Sequence, residues 1–198
     1  MPPTLRSVVL HIVNRILVIL AFAGLSLLAG ACEDDPFALT WENLPATDMI
    51  YSRARPELYL PTGYNFVSRT PILIESPTFS DRWDLILDTV DGQLVFIPPR
   101  ALGVVSTAGI APLGPVVFDE VGQAPSDTTD YVRDELVPVV EGHVYVIRTH
   151  QEPNNFGQLC VFYAKMEPKV ADVEAGSLEF LVDTNPICND RTLIAPGS

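Results

Sequence analysis

An all-β fold, an antiparallel β-sandwich with long irregular connections, is predicted by three features of the 198-residue chain. Short runs rich in β-branched and aromatic residues recur between clusters of Gly, Pro, Asn and Asp. Eighteen prolines are spread along the chain, and each would break a helix interior. No long stretch carries apolar residues at the three-and-four spacing of an amphipathic helix, which sets a helical bundle aside.

Taken in order, the N-terminal third is weakly patterned, with residues 65–68 and 71–75 as strand candidates. The clearest unit is RWDLILDTVDGQLVFIPP, beginning at Arg82. Trp83, Leu85 and Leu87 alternate with Asp84, Ile86 and Asp88, and Asp91-Gly92 is the dipeptide that a two-residue hairpin turn favours. Residues 93–97 form the return strand, stopped by Pro98 and Pro99. Residues 101–135 mix Gly, Pro and Asp with apolar residues and are expected to hold the long connections, with 115–118 as a weak strand candidate. Residues 136–140 are another. HVYVIRT from His143 and LCVFYAKM from Leu159 are two strong runs, joined by HQEPNNFGQ, whose Pro, Asn and Gly make a loop. GSLEFLVDTN, from Gly176, supplies the last strand. About eight strands in this length fit a sandwich.

The N-terminus sets the domain organisation. Residues 1–15 carry Arg6 and Arg15 and no acid, and residues 16–31 run uncharged through ILVILAFAGLSLLAGA. A basic start, a short apolar run and small residues before a break are the parts of a secretory signal. The run is shorter than the roughly 20 residues that a spanning helix prefers, so cleavage is preferred to retention as a membrane helix. Its end, Ala29-Gly30-Ala31-Cys32, resembles the lipobox of bacterial lipoproteins, with Ala29 where that pattern favours Leu and Leu28 one step earlier. The resemblance implies that Cys32 is diacylated and becomes the first mature residue, anchoring the chain to a membrane of the bacterial cell envelope and facing the periplasm or the exterior. The alternative is an ordinary thiol after conventional cleavage. Glu33, Asp34 and Asp35 are costly in hydrocarbon and mark the return to water. The expected organisation is a signal at 1–31, an acidic tether at 32–40 and one sandwich domain at 41–198, long enough for a sizeable core.

From Cys32 onward ten basic residues stand against 25 acidic ones, a formal charge of −15. Nucleic acid is therefore a poor partner, and the charge favours solubility. Lipidation of Cys32 leaves Cys160 and Cys188, a pair that reads as one disulfide in an oxidising compartment. Its closure would stabilise the domain by about 3 kcal/mol. A metal site or catalytic thiol there lacks neighbouring cysteines and a histidine close in sequence.

The succession DRWDLIL, VYVIRT, CVFYAKMEP and AGSLEFLVD resembles the order of motifs in HmuY-like lipoproteins, over roughly residues 83–183. The resemblance implies an all-β fold and, in members that bind haem, two histidines as axial iron ligands. The mature chain has only His143 and His150. On one regular strand they face opposite ways and lie about 23 Å apart, so without a sharp bend they cannot share a haem. A single histidine with Met49 or Met166 is the remaining haem arrangement, since methionine can be an axial ligand; methionine more often fills core gaps.

No Gly-x-Ser-x-Gly elbow, phosphate-cradling glycine loop or His-Glu-x-x-His is present, so an enzyme is not expected and a hydrolase is a distant alternative. DTVDGQ lacks the ligand spacing of a calcium loop, and no resident metal is expected. Trp41, Tyr51, Tyr59, Tyr64 and Phe66 cluster in the N-terminal third. They either cover one end of the sandwich or form an exposed patch for an envelope protein, a glycan or a small ligand. The resulting expectation is a membrane-tethered, non-catalytic binding or interaction module, with an HmuY-type haem or small-ligand carrier as the alternative.

Overall fold

The computed structural model describes residues 40–74 and 82–196. The signal segment, Cys32 and the tether up to residue 39 lie outside the described residues. The strands are β1 (Ala46–Tyr51), β2 (Gly63–Asn65), β3 (Thr70–Ile72), β4 (Leu85–Val90), β5 (Gln93–Ile97), β6 (Gly109–Gly114), β7 (Val137–Pro138), β8 (Val144–Arg148), β9 (Glu152–Pro153), β10 (Leu159–Cys160), β11 (Tyr163–Asp172) and β12 (Ser177–Asn185). They form two five-stranded sheets, ordered β1-β12-β11-β8-β6 and β3-β2-β4-β5-β7, and a small β9-β10 ribbon. Pairing is antiparallel throughout these sheets. The fold is the all-β sandwich that the sequence predicts.

Alternation decides which side chains meet between the sheets. Leu85, Leu87, Leu94 and Phe96 of one sheet pack with Ile110, Tyr145, Ile147, Met166, Leu178, Phe180 and Val182 of the other. The outer faces are covered too. Val144 and Val146 face outward from β8 and are sealed by Phe118, Val121, Ala124, Tyr131 and Leu193. On the far side Ile86, Val95 and Ile97 pack with Ile72 and Trp83, flanked by Ala101 and Val104. Both sheets therefore bury apolar residues on two faces, and the long connections serve as covers.

The hairpin at Asp91-Gly92 forms as expected. Both residues adopt positive φ, 51° and 76°, as the favoured two-residue turn requires, and Val90 pairs with Gln93 across it. The connection at 101–135 is less irregular than expected, because it contains β6, which pairs along β8 from Gly109↔Arg148 to Gly114↔Val144. Residues 115–118 are not a strand; a short 3-10 turn, Phe118–Glu120, drops Phe118 into the outer cluster instead. Of the other weak candidates, 65–68 is mostly a turn, since β2 ends at Asn65, while 71–75 and 136–140 form shorter strands than expected, within β3 and at β7. The run LCVFYAKM is split, since β10 ends at Cys160 and β11 begins at Tyr163.

Proline placement follows the sheet order. Pro71, Pro112 and Pro138 lie in β3, β6 and β7, which are edge strands, where a missing N–H costs no ladder bond. Pro168, in the interior strand β11, sits where the β11–β12 register shifts, and a bulge accommodates it.

Cys160 and Cys188 are disulfide-bonded, with Cα atoms 4.9 Å apart and a sequence separation of 28. The bridge ties β10 to the segment after β12, beside Asn189, whose Oδ1 accepts from the Val161 N–H at 2.9 Å. Alkylation of the native protein should leave both cysteines unmodified until a reductant is added. The Cys160→Ser, Cys188→Ser double variant should lose about 3 kcal/mol in urea unfolding.

Candidate functional site

Chain connectivity brings three ionisable groups together at one end of the sandwich. Asp84 directly precedes β4, and its N–H donates to the Tyr64 carbonyl at 2.9 Å. His150 lies two residues beyond β8, where Thr149 Oγ1 accepts from the Phe162 N–H at 2.9 Å and fixes the strand exit. Glu152 opens β9. His150 and Glu152 are two apart on extended chain, which puts them on one face.

Asp84 has no exposed surface. Its Oδ1 accepts from the His150 backbone N–H and lies against the His150 ring Nδ1, both at 2.7 Å. Its Oδ2 accepts from the Phe66 N–H at 2.8 Å. The other ring nitrogen, Nε2, lies 2.9 Å from Glu152 Oε1. One carboxylate thus joins a loop of one sheet to the strand exit of the other, and the imidazole is held between two carboxylates. A buried charge is tolerated when it is paired and hydrogen-bonded in this way.

The electrostatics follow from that geometry. Burial by itself pulls the His150 pKa down, but the hydrogen bonds and charges of Asp84 and Glu152 outweigh it and raise the pKa from 6.5 to about 9. As an imidazolium, the ring donates on both sides and has no lone pair for a metal or a proton. Because the folded pKa lies above the unfolded one, the stabilisation is complete below about pH 6.5 and is lost as pH rises through about 9. Urea midpoints at pH 6.5 and pH 9.5 should differ by on the order of 3 kcal/mol of stability. This difference should vanish in His150→Gln.

Two clefts adjoin this histidine. One, of about 410 Å³, is lined by Arg82, His150, Gln151, Glu152 and Pro153. The second, of about 310 Å³, is lined by Val105, Ser106, Thr107, His150 and Gln151. Among the described residues no group of three or more His, Cys, Asp or Glu is arranged to hold a metal ion.

The other residues singled out in the sequence are dispersed. His143 precedes β8 and His150 follows it, so a five-residue strand separates them. Met166 has no exposed surface and fills the main core, which corrects its candidacy as a ligand; Met49 lies on β1 at 39% exposure. The aromatic patch is corrected as well. Tyr64 and Phe66 are fully buried, with ring centroids 4.7 Å apart, and Tyr64 also meets Phe180 edge-on. The Tyr64 hydroxyl donates to the Asp48 carboxylate, and burial first, then Asp48, pushes its pKa up. Trp41 and Tyr51 are half-buried, the latter beneath the Arg55 guanidinium. Tyr59, at 75% exposure, is the one member of the five that stands in solvent.

Sequence reasoning missed the partners of His150. Glu152 was legible as a same-face neighbour, but Asp84 is 66 residues away, and only the folded topology joins it to the ring. No family model matches the chain, and neither a curated protein nor a solved structure matches it.

Proposed function

We propose that the protein is a lipid-anchored module of the bacterial cell envelope, held to a membrane through Cys32 and acting by binding rather than by catalysis. The observation that carries this reading is the Cys160–Cys188 bridge. Disulfides persist in oxidising, extracytoplasmic compartments, which is where a signal ending in Ala-Gly-Ala-Cys would deliver the domain. The fold adds support. A disulfide-braced sandwich with both sheet faces covered is a rigid platform that presents loops, and loops on rigid scaffolds commonly carry recognition. Binding is favoured over acid–base chemistry because His150, the buried histidine, is committed on both ring nitrogens to carboxylates.

Expression of Cys32→Ser in a bacterial host fed labelled fatty acid tests the anchor. The native chain should take up label and sediment with membranes, whereas the variant should be unlabelled and soluble. Equal labelling of the variant would overturn the proposal.

A further inference from the structure

The basic residues are distributed unevenly for so acidic a chain. Arg148, the last residue of β8, pairs across to Gly109 of β6 and to Tyr163 of β11. A Cβ built on Gly109 would come within 3.1 Å of Arg133 Cγ, so the Arg133 stem crosses β6 at the residue facing Arg148. The Arg148 Nη1 donates to the Thr107 carbonyl at 2.7 Å. Thr107 ends a loop whose preceding residues, Gly103, Val104, Val105 and Ser106, line a cleft of about 370 Å³ together with Arg100.

Arg133 and Arg148 therefore lie on one face of β6, Arg100 lines the cleft beside the loop that Arg148 holds, and counter-charges are nearly absent among the described residues. Among the described residues the nearest acidic contact is Asp134, 3.9 Å from Arg100, with both groups exposed. Among the described residues Arg133 makes no hydrogen bond or ion pair, and neither Arg133 nor Arg148 has a carboxylate within 4.0 Å. The Nε atoms of both are buried without an acceptor among the described residues. In the same direction, burial first, then Arg148 and Arg100, holds the Arg133 guanidinium below its ordinary pKa. With 25 acids on the chain, an uncompensated cluster of like charge costs stability unless something neutralises it. Guanidinium groups match oxyanions geometrically and donate to them in pairs.

We propose that Arg133 and Arg148, with Arg100 at the rim, form a binding site for a small oxyanion, a phosphate or a carboxylate. The proposal rests on the reading of the protein as a binding module and supplies its ligand class. The site's orphaned charges are the reason to expect a ligand, and the chain's net negative charge makes it selective, since an anion approaches favourably only where arginines converge.

The test uses the full chain in detergent at fixed ionic strength, with chloride as the background. Inorganic phosphate and succinate are titrated separately by calorimetry, and thermal midpoints are recorded alongside. At least one of them should bind saturably, one to one, and raise the midpoint. Arg133→Gln should weaken that binding at least tenfold and should raise the midpoint of the anion-free protein, because a repelling charge is gone. Arg148→Gln should weaken binding too. Preference for phosphate would assign a tetrahedral dianion, and preference for succinate a dicarboxylate; each supports the site. Equal responses to phosphate, succinate and added chloride, or binding unchanged in both variants, would overturn it. Membrane release of Cys32→Ser reads the anchor without touching these arginines, so the two proposals fail separately.

Discussion

Replacing Asp84 by alanine should cost about 3–5 kcal/mol of folding free energy, the usual loss when one partner of a buried charge pair is removed. The reason lies in how many groups depend on its two oxygens. The Phe66 and His150 N–H groups would be buried without an acceptor, and His150 would keep only Glu152 as a counter-charge. Asp84→Asn keeps an acceptor for the backbone and should lose less. Glu174→Ala, at an exposed acid, should stay within about 0.5 kcal/mol. Urea unfolding of the three variants at pH 6.5 checks the ranking. Equal stability of Asp84→Ala and Glu174→Ala would show that the carboxylate does not join the two sheets. Where the domain of Asp84→Ala is too unstable to isolate, Asp84→Asn carries the comparison.

The second large effect is expected at Tyr64. Truncation to alanine removes a ring packed against Phe66 and Phe180 and should cost about 3–5 kcal/mol. Tyr64→Phe keeps the ring and loses the bond to Asp48, at about 1 kcal/mol. Tyr59→Ala should be near neutral, because that side chain stands in solvent. Thermal unfolding of the three separates a core aromatic from a surface one, although both lie in the same aromatic-rich stretch of sequence.

That contrast shows how far the sequence could be read. The strands with strong alternation or a strong turn signal, β4, β5, β8 and β12, were legible because burial on an interior strand imposes its period on the residues. β1 and β6 were not, and both are edges of the β1-β12-β11-β8-β6 sheet. An edge strand buries less and is free to hold polar residues or proline. β1 buries only Ile50 fully, and β6 reads GIAPLG with Pro112 inside it. The candidate site divides in the same way. His150 and the Cys160–Cys188 pair were visible as residue types, whereas Asp84 and the Arg133–Arg148 pair depend on contacts between strands distant in sequence.

The prolines of β3, β6 and β7 also govern how copies of this protein can meet. Chains crowded on a surface risk zipping together edge to edge, because an open strand offers its N–H and carbonyl groups as a template for another. A proline in such a strand removes a donor and breaks the template. β6 has further protection from the bridge between Ile110 and Val132. Of the edge strands of the two five-stranded sheets, β1 alone contains no proline, and it is also the first strand after residue 40. Edge-to-edge association is thus discouraged along three of the four edges of the two five-stranded sheets. Any growth of the sheet by an added strand is directed to the fourth, nearest in sequence to the N-terminal segment.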